Sequence, residues 1–217
     1  MAKFGQTWWG GQWLNALAHI DYSNRLPRGR RYAGNGSVRD INIKNNEIEA
    51  KVQGTRATPY KISITVPEFS DKEKKQLMDE ITNNPLVLSK LINRELPAEL
   101  HKLALKNGIE IFPKSWKDFQ MECSCPDWAV PCKHIASVIY IIANEIDKNP
   151  FQVFHLHGLD IINELGQSGY ASASGNMGIP DAQNMLLTQM PKAKNNEGED
   201  FFSQIDYSTI PILKEHI

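Results

Sequence analysis

Four residues of the types that bind transition metals lie close together in the chain. Cys123, Cys125, Cys132 and His134 follow the pattern C-x-C-x6-C-x-H, and they include all three cysteines of the 217 residues. Three thiolates and one imidazole complete a tetrahedral set for Zn²⁺ and leave no position for a water molecule. The sequence therefore predicts one structural zinc ion held by these four side chains.

Other uses of the same residues fit the pattern less well. A disulfide between Cys123 and Cys125 would be strained and would need an oxidising compartment. A redox-active pair normally has the spacing C-x-x-C, and a catalytic zinc keeps one ligand position open. Inert, buried cysteines are a further alternative, but such cysteines would have no reason to cluster with a histidine.

A strong helix is predicted around the third cysteine, and it would position the last two ligands. The helix begins near Pro131 and stops at Asn149-Pro150. The free N–H groups at its start favour the thiolate form of Cys132. Lys133 lies between two ligands and offsets the negative charge that three thiolates leave on a zinc site. One apolar face of the helix is formed by Ile135, Val138, Ile139, Ile142 and Ile146.

Apolar periodicity divides the front of the chain into three parts. Helical spacing predicts a helix over 8–20, and the Asp, Asn, Pro and Gly residues of 21–36 predict a loop. Period-two patterns then predict three antiparallel strands near 38–43, 48–52 and 60–66. The predicted product is a three-stranded meander that follows an N-terminal helix and a loop.

Three helices are predicted between this meander and the cysteines. They cover about 70–81, 84–92 and 97–108, and Ser70 followed by Glu73 is typical of a capping box. The predicted fold class is therefore α+β, with an N-terminal helix plus antiparallel meander, a helical middle, an embedded zinc unit and a flexible C-terminal tail.

The predicted organisation has four segments. Residues 1–67 form the helix and meander, 68–110 the helical segment, and 111–165 the zinc-binding unit. Residues 166–217 are predicted to be a mobile linker and an acidic tail, because Gly, Ser, Ala, Asn, Pro and Gln dominate up to Gly198. The apolar ending of the sequence is typical of a truncated chain.

Charge is distributed unevenly although the net charge is only -1. Residues 1–67 contain 10 Lys and Arg against 4 Asp and Glu, a net charge of +6, whereas 151–217 contain 3 against 8, a net of -5. A basic front end indicates an anionic partner. The alternative is a solvated loop over a tryptophan-rich core. The candidate nucleic-acid-binding residues are Arg25, Arg28, Arg30, Arg31, Arg39, Lys133 and Trp9.

Other function classes lack support in the sequence. Neither a nucleophile elbow nor a phosphate-binding G-x-x-x-x-G-K-[ST] loop is present, so no catalytic residue is predicted. The N-terminus lacks the apolar segment of a secretory signal, and the most apolar run, 135–143, is about half the length of a membrane span. We therefore predict a cytoplasmic protein without a membrane partner. His155 and His157 are predicted to be surface or capping residues.

The cysteine segment resembles the SWIM zinc finger, defined by C-x-C-x(n)-C-x-H. Over roughly residues 7–165 the chain is similar to the prokaryotic SWIM zinc finger proteins. The resemblance implies a ββα zinc unit, roles in binding DNA or protein, and association with helicases of the SWI/SNF type. Outside the cysteine segment it is carried by Trp8-Trp9-Gly10, Arg28-Gly29-Arg30, Tyr32-Ala33, Val52-Gln53-Gly54, Pro59-Tyr60, Leu96-Pro97 and Phe112-Pro113.

The sequence thus predicts a non-catalytic zinc-binding module that binds DNA, a helicase-type protein, or both. One alternative is a structural subunit of a helicase assembly that makes no nucleic-acid contact of its own. A zinc-dependent enzyme is a weaker alternative, since it would need an open metal position. No small-molecule substrate is inferred.

Overall fold

The computed structural model describes residues 3–18 and 25–170. In this part of the chain eight α-helices and four β-strands alternate in groups, and two 3₁₀ turns cover Leu14–Leu17 and Trp116–Asp118. The helices are α1 Trp8–Trp13, α2 Arg25–Gly34, α3 Asp71–Thr82, α4 Pro85–Ile92, α5 Ala98–Lys106, α6 Lys133–Lys148, α7 Phe151–Leu156 and α8 Ile161–Gln167. The strands are β1 Val38–Lys44, β2 Glu47–Val52, β3 Tyr60–Thr65 and β4 Gln120–Cys123.

The strands form one antiparallel sheet in the order β1-β2-β3-β4. Side chains alternate between the two faces, as a strand geometry requires, so Ile48, Ala50 and Val52 enter the core while the residues between them face solvent. The predicted meander is confirmed. The sequence analysis did not anticipate that the chain before the first ligand adds a fourth strand, β4, to this meander.

The core lies between the inner face of the sheet and the helices. α6 packs on β3 and β4, and α2 packs on α6. The three helices predicted for the middle of the chain are confirmed. Ser70 and Glu73 form the expected capping box of α3, and the Asn84 side chain accepts a hydrogen bond from the start of α4. These helices close one side of a core that runs from Trp13 to Leu165.

The loop predicted over 21–36 is wrong, because Arg25–Gly34 is the helix α2. Pro27 is tolerated since it lies in the first turn, where backbone N–H groups have no partner within the helix. Gly29 allows α2 to approach α6 closely: a Cβ at this position would lie 2.9 Å from the Cβ of Ala136 and 3.2 Å from the carbonyl oxygen of Lys133. Proline and glycine, which usually interrupt helices, here have positions where a helix accepts them.

Two further expectations change at the ends of the described segments. The helix predicted over 8–20 is a short α-helix, α1, that continues as a 3₁₀ turn to Leu17, and the backbone is extended at Ala18. The predicted linker begins with two helical residues, since α8 ends at Gln167. From 171 onward this linker and tail lie outside the described residues. Among the residues described, none of the helices is long and apolar enough to cross a membrane.

Candidate metal centre

The first two metal-binding residues are positioned by pairing between β3 and β4. Cys123 is the last residue of β4 and lies opposite Ile62. The next residue continues the pairing, because the Ser124 N–H donates to the Lys61 carbonyl (3.0 Å) and the Ser124 hydroxyl accepts from the Lys61 N–H (2.9 Å). Cys125 follows where the chain leaves the sheet. The hydrogen bonds on both sides of Lys61 therefore set the direction of the thiol-bearing segment.

The other two metal-binding residues lie at the start of α6. Cys132 is its N-cap residue, with extended backbone angles, and His134 lies in the first turn with 2% of its surface exposed. The carbonyl of Cys132 accepts the N–H of Ala136 (3.0 Å) and so begins the helical pattern. The helix predicted near Pro131 is confirmed, with its first residue two positions later than expected.

The four ligand atoms lie close to the separations that a tetrahedral zinc site requires. Nδ1 of His134 lies 3.9 Å from the sulfur of Cys123 and 3.8 Å from that of Cys132, and all four ligand atoms lie within 4.8 Å of one another. Zn–S bonds of about 2.3 Å and a Zn–N bond of about 2.0 Å in a tetrahedron place ligand atoms about 3.6–3.8 Å apart. The residues present therefore fit a zinc ion bound by Cys123, Cys125, Cys132 and His134.

Electrostatics favour ionisation of one cysteine before the others. The thiol of Cys123 donates a hydrogen bond to Cys132, which together with the His134 side chain and the backbone N–H groups at the start of α6 lowers the pKa of Cys132 to about 4. The same hydrogen bond raises the pKa of Cys123, and burial raises the pKa of Cys125. Zinc binding must therefore displace protons from Cys123 and Cys125, so zinc affinity falls in acid.

The imidazole of His134 is held by packing rather than by a second hydrogen bond. Its ring lies 4.5 Å from the ring of Tyr60 and 5.4 Å from that of Tyr32, measured between centroids. Its other nitrogen, Nε2, is buried and has no hydrogen-bond partner in the described part of the chain. A Cβ on Gly54 would lie 2.4 Å from the Tyr60 ring and 3.4 Å from this Nε2. Gly54 and the two tyrosines therefore fix the ring with Nδ1 toward the sulfurs.

A comparison with protein families gives the same assignment. The SWIM zinc finger family matches residues 111–143. This chain carries a SWIM zinc finger. Its four protein ligands bind zinc as a structural, non-catalytic centre. The matched residues contain β4 and all but the end of α6, and the second strand of the finger is β3, which comes from the meander. The ββα unit that the resemblance implies is thus assembled from two separate parts of the chain.

One similar protein is the uncharacterized protein Rv2102 of Mycobacterium tuberculosis, which is 34% identical over 170 residues. The match covers 78% of this chain and 61% of the mycobacterial protein, so the chain spans less than two thirds of the length of that relative. No solved structure matches the chain.

Several of the motif fragments outside the cysteine segment converge on two places in the structure. Tyr32, Gly54 and Tyr60 surround His134. The Trp8 indole N–H donates to the Leu96 carbonyl (3.1 Å), and its ring lies 5.8 Å from that of Phe112. The fragments matched the SWIM proteins one by one in the sequence. Their convergence became visible only in the fold.

The arginines proposed to bind nucleic acid divide between two elements. Arg25, Arg28, Arg30 and Arg31 lie on α2, whereas Arg39 lies on β1 opposite Lys51. Arg25 is half-buried, and the other arginines are exposed. On α2, the exposed Arg28 and Arg31 lie on the side away from the face that packs on α6. The buried face of α2 contains Leu26, Gly29 and Ala33.

The two remaining candidates are both half-buried, but their surroundings differ. Lys133 is the first residue of α6, between two zinc ligands, and is half-buried. Trp9 is packed against the core, and its indole N–H donates to the carbonyl of Ile146 (3.1 Å). The structure therefore uses Trp9 in packing. Contact of any of these residues with nucleic acid stays a prediction.

The loop between the second and third zinc ligands, residues 126–131, exposes apolar side chains that were not selected from the sequence. We call this segment the zinc loop. Trp128 is 89% exposed and Val130 is 44% exposed. The Asp127 side chain accepts the N–H of Ala129 (3.2 Å), which holds the loop in a local turn. The available signal was a tryptophan between zinc ligands that belongs to no periodic apolar pattern.

Proposed function

We propose that the protein is a non-catalytic interaction module that binds DNA through α2. The observation that carries this proposal is the packing of α2 directly on the first turn of α6, at Gly29 and Ala136. The helix that holds two zinc ligands is thus also the support of the most basic helix. Zinc binding at the start of α6 therefore supports the helix that exposes the arginines.

The chemistry of the exposed α2 surface favours phosphate. Arg28 and Arg31 are exposed, and no acidic residue occurs on α2. Guanidinium groups pair with phosphate oxygens through parallel hydrogen bonds, and such contacts contribute affinity that falls as salt rises. No catalytic role is proposed for the zinc, because four protein ligands leave no position for a reacting water.

A protein partner is the second candidate, and the exposed zinc loop favours it. Trp128 and Val130 form an apolar tip next to the carboxylate of Asp127. Exposed tryptophans are frequent anchors in protein interfaces. A helicase of the SWI/SNF type is the partner that the SWIM resemblance suggests, and a cytoplasmic location fits both proposals.

DNA binding is tested by fluorescence anisotropy of a labelled duplex with the zinc-loaded chain across a salt series. The double variant Arg28→Ala/Arg31→Ala should weaken binding and lower the slope of log K against log salt by about 1.8, if each side chain contacts one phosphate. The matched control is Lys72→Ala/Lys75→Ala, which removes two exposed charges from α3. Absence of wild-type binding at low salt, or equal losses in the two variants, would overturn the proposal.

A further inference from the structure

The outer face of the sheet carries a row of positive charge at the end next to the zinc centre. The strand register places Arg39 opposite Lys51, and Lys51 opposite Lys61. All three side chains are exposed on the face away from α6. We call these three residues the basic row. Since neighbouring strands are about 4.8 Å apart, the basic row spans about 10 Å across the strands.

The basic row ends at the SWIM finger. Lys61 pairs through its backbone with Ser124, the residue between the first two zinc ligands. The turn that joins β2 to β3 adds Arg56, which is exposed and lies over the Tyr60 ring, 5.8 Å from its centroid. The segment 51–61 contains three cations and no carboxylate. The connection between β2 and β3 therefore adds positive charge, and no carboxylate, to this end of the sheet.

The isolated protein compensates little of this charge. Like charges directly opposite each other on antiparallel strands destabilise a sheet. In the described part of the chain, the basic row has a single ion pair, between Lys51 and Asp40 (3.0 Å), and both of its residues are exposed. Arg39 and Lys61 have no carboxylate partner there. The arrangement is unfavourable for folding alone, and an anionic partner would relieve it.

The acidic residues on the rest of the outer face limit the direction in which an anionic partner can lie on the sheet. One step along the strands, the register aligns Glu49 with Ser63 and Ser63 with Glu122. These two carboxylates would repel phosphate from the middle of the sheet. A shallow groove of about 350 Å³ lies between the two rows, bordered by Asp40, Glu49, Lys51 and Lys61 among others. An extended anion therefore fits across the strands, along the basic row, and not along the strand direction.

We infer that the basic row, extended by Arg56, is a second DNA-binding surface that contacts the phosphodiester backbone at the zinc-side end of the sheet. This inference rests on the proposed function, that the protein binds DNA, but it uses a different face from α2. The sequence singles out Arg39 alone, and the strand pairing adds Lys51 and Lys61 beside it.

The first test removes the two cations of the row that lack an ion pair. Arg39→Thr/Lys61→Thr keeps residues that strands favour, and the control Lys44→Thr/Lys72→Ala removes two exposed charges, one from the far end of β1 and one from α3. In the same anisotropy assay, the row variant should bind at least about 5-fold more weakly, with a salt slope lower by about 1.8, while the control changes little. Zinc content and thermal unfolding establish that each variant is folded.

The second test needs no substitution. Lysine acetylation of the wild-type chain, read by peptide mass spectrometry, should slow several-fold at Lys61 when duplex DNA is bound. Lys44 and Lys72 should react at unchanged rates.

The outcomes separate this inference from the proposed function. If the α2 variant loses affinity while the row variant binds normally and Lys61 stays reactive, DNA binding stands and the inference is overturned. If the row variant loses affinity and Lys61 is protected, the inference is supported, whatever the α2 variant does. If the wild type does not bind DNA at low salt, both fail together.

Discussion

Two buried histidines at different ends of the molecule have opposite environments. His134 directs Nδ1 at two sulfurs and leaves Nε2 without a partner in the described structure. His157, 5% exposed, has a carbonyl oxygen at each ring nitrogen: Pro67 at 2.6 Å from Nδ1 and Ile111 at 3.1 Å from Nε2. Burial is nearly the same for both residues. The partner atoms therefore decide that one is a zinc ligand and the other a cross-link between chain segments.

His157 was predicted to be a surface or capping residue. It is the C-cap residue of α7, as the second alternative has it, but it is buried and not on the surface. Its ring is stacked on Phe69 with the centroids 4.2 Å apart. It connects the chain after β3, the segment before β4 and the end of α7. No sequence spacing signals this role, since its partners are backbone carbonyls that any residue provides. The zinc end of the molecule could be recognised from residue types, and the His157 end could not.

The largest expected effect comes from substitution of a zinc ligand. Cys125→Ser or His134→Ala should reduce bound zinc from one equivalent to almost none and unfold at least the finger, because zinc affinity and folding free energy are shared in such sites. Metal analysis and circular dichroism of the purified variants measure both. His155→Ala, a change at a half-buried histidine outside the site, is the control. A ligand variant with full zinc and full stability would remove that residue from the ligand set.

Substitution of His157 should lower the free energy of unfolding without loss of zinc. His157→Phe keeps a ring against Phe69 but removes the ring nitrogens that face the carbonyls of Pro67 and Ile111. We expect a loss of about 2–4 kcal/mol in the free energy of unfolding, measured by urea denaturation, with one zinc retained. Loss of zinc in this variant would contradict the separation of the two ends.

A glycine beside the zinc ligand should give an intermediate effect. Gly54→Ala places a Cβ 2.4 Å from the Tyr60 ring, so the ring must move away from its contact with His134. The expected cost is about 1–3 kcal/mol, together with faster transfer of zinc to a competing chelator. Gly36→Ala is a control for the loss of a glycine, since no atom lies within 4 Å of its added Cβ, although its positive φ makes this substitution costly as well. Zinc transfer at the wild-type rate in Gly54→Ala would contradict a role in holding His134.

Acid should lower the free energy of unfolding through protonation of His157. Burial lowers the pKa of His157, against the opposing effect of its two carbonyl partners and of Glu73. The unfolded chain therefore binds the proton more readily, and the stability contribution of the neutral ring is present above about pH 6.5 and lost as pH falls below that value. Between pH 7 and 5 the wild type should lose more stability than His157→Phe. Wild type and His157→Phe share the zinc site, so the effects of acid on zinc binding cancel when their losses of stability are subtracted. Equal losses in the two proteins would contradict a lowered pKa for His157.

The smallest stability effect is expected at the exposed loop of the finger. Trp128→Ala should change the free energy of unfolding by less than about 0.5 kcal/mol, because the side chain is almost fully exposed. Trp13→Ala, in the core, should cost about 3–5 kcal/mol and serves as the contrast. A large loss of stability in Trp128→Ala would show that the tryptophan supports the fold and is not kept for a partner.

The sequence predicted what depends on residue type and local spacing. The zinc ligands, the meander and the cap at Ser70 follow from such rules. It did not predict α2, because Pro27 and Gly29 are read as interruptions unless their positions against α6 are known. The basic row was found only in part. Arg39 was selected from the sequence, but Lys51 and Lys61 were not, because the three residues become neighbours only through the strand register.

We propose that the zinc site and the basic surface of α2 form one structural unit, because α2 packs on the helix that begins at the metal-binding residues. The most direct measurement is DNA anisotropy on a single sample before chelation, after zinc removal by a chelator, and after zinc is restored. We expect that the affinity for DNA is lost with the metal and recovered when zinc returns. Equal affinity and an equal salt slope in the zinc-free chain would contradict it.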